Sequence, residues 1–568
     1  MSTSEALWPF TRDARIAYFS MEIALESDIP TYSGGLGMLA GDTVRSAADL
    51  SIPIVAVTLV SRRGYFRQQL TANGEQSETP DSWEPASRVT PLEAHVAVHI
   101  EGRPVWVTGW LYVQTCAQGS RVPVILIDSD LPQNGADDRA LTHQLYGGDA
   151  RYRLKQELLL GIGGVRLLSA LGFEVRHYHM NEGHSALLTV ELLRRLALPA
   201  RDLRSGDSLY DIPRVREMCT FTTHTPVEVG HDRFPYDLIQ DVVGPLVDAD
   251  VLRSLAGANE LNLTRLALNM SQYINGVAER HAETSRRMFP GYAVHAITNG
   301  VHAETWVNAA FAALYDQHVP RWRHEPETLV RAECCVPDDA VWQAHRRAKE
   351  QLLAEIAGRG VTLDPERPIF GFARRMTAYK RPDLLFADIE RLRELARHAP
   401  FQLVIAGKAH PHDEPGKALI RLVHERLRSL QAEIPSVYLA NYDMRLAKLM
   451  VAGVDVWLNT PQPPLEASGT SGMKAALNGG PSLSVLDGWW VEGCIEGVTG
   501  WAIADGEAHA FADDASALYE KLERAVLPAY YGERRAWIAV MKGAIAKCGS
   551  LFTSHRMMRR YAVDAYLR

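Results

Sequence analysis

The 568-residue sequence is short of cysteine, of long apolar runs and of clustered positive charge, and each shortage excludes a class of protein. Its six cysteines (Cys116, Cys219, Cys334, Cys335, Cys494 and Cys548) are scattered, without a CxxC or a Cys/His spacing. That pattern suits a reducing cytoplasm better than a disulfide framework. No apolar stretch approaches the ~20 residues that span a bilayer. The first residues lack a basic segment followed by an apolar one, so no export signal and no membrane partner are expected. The net charge is −8 and there is no long basic stretch, which argues against a nucleic-acid partner. The same charge does nothing to attract an anion, so any phosphate must be held by a few local cations and helix amino ends. Repeats and low-complexity tracts are absent.

What is present is a chain too long for one core, with short β-branched runs separated by helical stretches. These runs are Ile52–Val60, Val122–Ile127, Phe173–His177, Met218–Thr222 and Val294–Ile297, then Pro368–Phe372, Phe401–Ala406, Val437–Leu439, Val454–Leu458 and Leu483–Leu486. Continuous apolar strands alternating with helices predict parallel sheets covered on both faces. A Pro/His/Glu-rich passage before the amphipathic stretch Trp342–Arg359 marks a domain boundary. The expected organisation is an α/β protein with domains over 1–325 and 326–530 and helices over 531–568.

Unusual residues fall just after the strands: His179–His184, Thr222–Thr225, Thr298–His302, Arg374-Arg375 and Gly407-Lys408. Ligands of open α/β sheets bind at the carboxyl ends of strands, so two such sheets define a cleft. Ser33-Gly34-Gly35-Leu36-Gly37 precedes a helix over Met38–Leu50, and is either an ordinary turn or a loop whose free N–H groups receive an anion. Arg374-Arg375-Met-Thr-Ala-Tyr379-Lys380-Arg381 places four cations after a strand, which suits a phosphate unless it is only a solvated helix start. Glu466-Ala-Ser-Gly-Thr-Ser-Gly-Met-Lys474 sets small residues at a helix start with a lysine two positions beyond, which fits pyridoxal phosphate, a nucleotide phosphate or a plain cap. His179, His184, His224 and His281 lack the spacing of a helical zinc pair, no carboxylate motif completes a site, and no metal is expected.

Taken together and in order, these motifs resemble the glycogen/starch/maltodextrin phosphorylase family, most of all its shorter bacterial branch. Asn181-Glu-Gly-His184, Thr223-His-Thr225, Asn275–His281, Thr298-Asn-Gly300, Arg153–Glu157 and Leu486-Asp-Gly488 extend the match over about residues 16 to 490. The resemblance implies two Rossmann-like domains facing across a cleft, the GT-B glycosyltransferase architecture, with the C-terminal helices packing back on the first domain. It implies phosphorolysis of an α-1,4-glucan from its non-reducing end, giving α-glucose 1-phosphate with retention, with the phosphate of pyridoxal phosphate relaying a proton.

Under that resemblance Lys474 binds pyridoxal phosphate covalently, Thr470, Ser471, Gly472 and Arg374 hold its phosphate, and Tyr442 lies against it. Arg375, Lys380 and the Gly34-Gly35-Leu36 backbone take the substrate phosphate. His224, Tyr379, Glu466, Ser468 and Gly469 contact the glucosyl unit, with Glu182 and His184 nearer the acceptor. Glucan or maltodextrin and inorganic phosphate are the implied partners, and a homodimer is common in the family. Activation by AMP is not expected, because the first strand begins at Ile16. Asp443 stands where an arginine is usual, with Arg445 near enough to substitute, and Thr377 replaces a usual histidine. The rival of the same architecture, a nucleotide-sugar-dependent glucan synthase, carries Lys-x-Gly-Gly-Leu; here Tyr32 holds the lysine position. A binding protein on a dead scaffold would have been expected to lose Lys474, Arg375 or Lys380.

Overall fold

A computed structural model describes residues 3–199, 203, 208–227, 230–244 and 247–567. The apolar runs form two large sheets. In spatial order the first is Val294–Ala296, Tyr273–Gly276, Cys219–Thr222, His177–Asn181, Ile16–Ser20, Ile54–Leu59, Arg121–Asp128, Arg103–Thr115 and Thr90–Pro91, with Val96–Ile100 paired to Arg103–Thr115. The second is Ser436–Leu439, Gln402–Ala406, Ile369–Ala373, Val456–Asn459, Ser482–Val485 and Gly500–Ile503, parallel throughout. Every residue of Ile54–Leu59 and of Ile369–Ala373 is buried, as required of strands covered by helices on both faces. No described helix is long and apolar enough to cross a membrane.

The first sheet departs from the all-parallel expectation at one edge. Arg103–Thr115, thirteen residues long, runs antiparallel to Arg121–Asp128. Pro104, Thr108, Gly109 and Gln114 interrupt its apolar residues, so it lacks the continuous apolar signature that betrays an interior strand. The run at Phe173–His177 is also not a strand; pairing starts only at His177. Gly172, at φ +86°, ends the preceding helix, with Gly172 N–H donating to Ser169 O and Phe173 N–H to Leu168 O. Phe173 is apolar because it closes this helix cap, where a buried hydrophobic contact is usual.

Two smaller features join the sheets. The hairpin Arg67–Leu70/Gln76–Thr79 reaches loops of the second sheet: Gln68 and Asn441 exchange amide hydrogen bonds at 3.0 and 2.9 Å, and Gln76 Nε2 donates to Ala409 O at 3.0 Å. The helix Ser554–Tyr561 lies on the first sheet, where Tyr561 O–H meets Thr222 Oγ1 at 3.1 Å and accepts from Asn275 Nδ2 at 3.0 Å. Val301 bridges to Thr553, and a Cβ on Gly300 would lie 2.2 Å from Thr553 O, so only glycine allows this contact.

Candidate active site

The glycine loop begins the helix Gly35–Asp49, capped at Gly34. Its free N–H groups already face a carboxylate: Ser33 N and Gly34 N donate to Glu22 Oε2 at 2.6 and 3.1 Å, and Tyr146 O–H donates to Oε1 at 3.0 Å. Glu22 carries no sequence signal of a site, since it lies in the apolar run after Ile16–Ser20. Space is open beyond Gly35, where an added Cβ would meet nothing within 4 Å.

Arg375 reaches this loop from the second sheet, its Nη2 lying 3.6 Å from where a Cβ on Gly34 would stand. No hydrogen bond or ion pair holds the guanidinium among the described residues, although Tyr65, Tyr379, Glu22 and Tyr146 surround it. Its accessible face therefore opens between the sheets.

Arg374 and Lys380 share one carboxylate instead. Glu466 Oε2 lies 2.8 Å from Arg374 Nη2 and 2.5 Å from Lys380 Nζ. Burial alone would raise the Glu466 pKa, but these two cations hold it below its ordinary value. Gly469, at φ +74°, fits beside this cluster, where a Cβ would be 3.3 Å from Glu466 Oε1 and 3.6 Å from Arg374 Nη2. Arg374 Nη1 remains buried and unpaired. The fourth cation of the motif goes elsewhere: Arg381, at φ +45°, turns away to bind Thr460 O, Pro461 O and Asp514. A left-handed residue reverses the chain, so charge spacing alone overcounted the site by one.

Lys474 lies in the helix Ser471–Ala476 and is 6% exposed. Its Nζ sits 3.6 Å from the Trp306 ring centroid, and burial brings its pKa down to about 8. Gly472 is required here, because a Cβ would lie 2.8 Å from both Ser482 Oγ and Trp489 Cζ2. Ser471 Oγ accepts from Trp457 Nε1 at 3.0 Å. The Ser468 carbonyl accepts from Trp489 N at 2.9 Å, and Asp487 Oδ2 accepts from Glu466 N at 2.9 Å, so the Leu-Asp-Gly turn braces the Glu466–Ser468 loop. Tyr442 is half-buried near Arg374. Asp443 caps the next helix by accepting from Leu446 N at 2.8 Å, and Arg445 does not substitute for an arginine at that place: it pairs with Glu355 at 2.9 Å.

On the first sheet, His224 Nε2 meets Asn181 Oδ1 at 2.7 Å, and Asn181 Nδ2 donates to Ser20 Oγ at 3.1 Å. That amide orientation makes Nε2 the protonated nitrogen and leaves Nδ1 as an acceptor. Burial, with His281 and His184 near, brings the His224 pKa down to about 3, so the ring is neutral. Glu182, at φ +75°, spends its carboxylate on His224 N, Thr225 Oγ1 and Gly183 N. It shapes the His224 loop, with both carboxylate oxygens engaged. His184 lies against Tyr146, with ring centroids 5.7 Å apart, and links His224 to the Glu22 cluster. His179 is a satisfied core histidine between Tyr566 and Thr222.

An α/β protein with two largely parallel sheets, an unpaired arginine against a glycine loop and a buried lysine of lowered pKa belongs to the sugar- or phosphate-handling α/β enzymes in its construction. The chain belongs to the carbohydrate phosphorylase family. The model of that family matches residues 247–500. A maltodextrin phosphorylase of Thermococcus litoralis is 37% identical, over 97% of this chain and 70% of that one. A glycogen phosphorylase of Mycobacterium tuberculosis is 37% identical over the same shares, and one of Aquifex aeolicus is 33% identical over 97% of this chain and 86% of its own.

Proposed function

We propose that the protein phosphorolyses an α-1,4-glucan at its non-reducing end, releasing α-glucose 1-phosphate with retention of configuration. The supporting observation is the unpaired Arg375 guanidinium between the sheets, against the loop of Gly34, Gly35 and Leu36. An unpaired, solvent-accessible guanidinium beside the amino end of the helix Gly35–Asp49 offers both fork donors and a helix terminus to a phosphate dianion. In this reading the sheets form two facing halves, 1–325 and 326–530, with 531–568 crossing back, and the enzyme works in the cytoplasm.

Pyridoxal phosphate fits the second half. Lys474 offers an amine that is substantially neutral near pH 8, and Arg374 Nη1 offers a buried donor without a partner. Thr470, Ser471, Gly472 and Arg374 would hold the cofactor phosphate, with Tyr442 against it. When bound, the cofactor supplies a phosphate that exchanges a proton with the substrate phosphate.

The protein's own residues then position and neutralise. Arg375 and Lys380 compensate the charge of the substrate phosphate as its proton goes to the glycosidic oxygen, the C1–O bond breaks and a phosphate oxygen bonds to C1. Glu466, kept anionic by its two cations, serves as a hydrogen-bond acceptor for sugar hydroxyls, together with Tyr379, Ser468 and Gly469. His224 presents Nδ1 as a neutral acceptor to the same sugar. No carboxylate pair of glycosidase type is needed, since the phosphate is itself the acid.

The test is direct. Purified protein given inorganic phosphate and maltodextrin or glycogen should form glucose 1-phosphate. Inertness with phosphate, combined with glucan extension from a nucleotide sugar, would replace this reading with that of a synthase.

A further inference from the structure

Away from the cleft, three residues from distant parts of the chain converge under the C-terminal helix. Asp49 ends the glycine-loop helix, His302 follows Thr298-Asn-Gly300, and His555 lies in the first turn of Ser554–Tyr561. One ligand-type atom from each lies within 4.8 Å of the others. Asp49 Oδ2 is 2.7 Å from His302 Nε2 and 3.2 Å from His555 Nε2. The two imidazoles stack with centroids 5.7 Å apart and planes 16° from parallel.

A hydrogen-bonded clamp accounts for only half of this arrangement. His302 is satisfied on both sides, with Thr305 Oγ1 at 2.7 Å from Nδ1. His555 is 1% exposed; its Nδ1 has no partner among the described residues, and its Nε2 meets only Asp49 Oδ2, at 3.2 Å and off the line of a good hydrogen bond. Buried imidazoles ordinarily find partners, and a second lone-pair donor beside a shared carboxylate oxygen is the environment of a metal ligand.

We propose that Asp49, His302 and His555 bind a zinc-class divalent cation that fastens the C-terminal helix to the first sheet. Two imidazoles and a carboxylate suit zinc, with bonds of about 2.0–2.1 Å and ligand atoms about 3.3 Å apart in a tetrahedron. The Asp49–His555 spacing already matches, and the Asp49–His302 pair must open by roughly half an ångström to reach that separation. The fourth position is left to a water. Thr305, bonded to His302 Nδ1, orients the ring so that Nε2 faces the ion, as outer-shell partners of metal-bound histidines do. The ion is structural: Asp49 lies at the far end of the helix that starts at the glycine loop.

The full-length protein, dialysed against a chelator and then titrated with Co²⁺, tests this. One equivalent should bind with the intense visible bands of a tetrahedral ion, and Zn²⁺ should displace it and raise the melting temperature. His302→Asn and His555→Gln should each weaken Co²⁺ binding by more than about tenfold and abolish the bands. His509→Gln, which alters an exposed histidine paired with Asp505, should change nothing. Wild-type protein that takes up no stoichiometric Co²⁺, or binds it no better than His555→Gln, overturns the proposal whether or not the variants fold.

Discussion

Lys474 holds its Nζ 3.6 Å from the centre of the Trp306 ring, and that indole is fixed in turn by donating from Nε1 to Asp42 Oδ2 at 2.8 Å. The contact crosses from the second sheet's helix to the first half of the chain. The amine is thereby shielded from water while its carbon stem stays anchored in the helix.

Shielding sets a pH dependence. Burial favours the neutral amine, and only the neutral form attacks an aldehyde. With a pKa near 8, cofactor-free protein should capture pyridoxal phosphate faster as pH rises from 6.5 to 9, with a midpoint near 8. Stopped-flow absorbance reads this, and borohydride should then fix the adduct on Lys474. A midpoint close to 10.5, that of an ordinary lysine, would show that the amine is not enclosed.

On the proposed role of Arg375, its removal should separate phosphate binding from folding. Arg375→Ala removes a cation that holds up no neighbour, so cofactor content and melting temperature should stay at wild-type values. Losing a charge-assisted contact to a desolvated oxyanion costs about 2–4 kcal/mol, or ~30- to 1,000-fold in phosphate-dependent kcat/KM. Wild-type kinetics in phosphate would make the residue a solvated helix start.

Gln68 tests the bridge between the sheets. Its side chain bonds Asn441 N, Gly407 O and Gln76, and its own N–H bonds Asn441 Oδ1. Gln68→Ala leaves the half-buried Asn441 N–H without its partner and removes one of the two donors to Gly407 O, at about 1–3 kcal/mol. Hydrogen exchange should quicken in 67–79 and 436–442 while the interior strands stay protected. Unchanged exchange in both segments would mean that the hairpin does not hold the halves together.

The places of many candidate site residues were legible because they follow strands directly. Arg374, Arg375 and Lys380 follow Ile369–Ala373, and periodicity located that strand to within a residue. Contacts between distant segments were not legible. Glu22 and Trp306 flank the glycine loop and Lys474 only through packing, and nothing in their own neighbourhoods announces it. Backbone reversals were equally hidden: Arg381 looks like its neighbours until a left-handed φ turns it inward. Phe173 failed for the opposite reason, since a helix-capping hydrophobic and a strand residue look alike in a short window. The Thr298-Asn-Gly300 motif reads as a ligand loop, yet its glycine makes room for the Thr553 carbonyl.

That last contact bears on the order of synthesis. The first sheet is complete in its strands by Ala296, but Thr222, Asn275 and His179 take further partners from Tyr561 and Tyr566, more than 260 residues later in the chain. Until the helix Ser554–Tyr561 docks, those groups keep the bonds they make to one another, His179 to Thr222 and Thr222 to Asn275, and the apolar face that Met557 and Met558 will cover stays wet. The first sheet is thus translated early and covered only once residues 554–566 have been made. A chain cut before Ser554 would carry every candidate residue of the cleft and still present an open flank to chaperones and proteases.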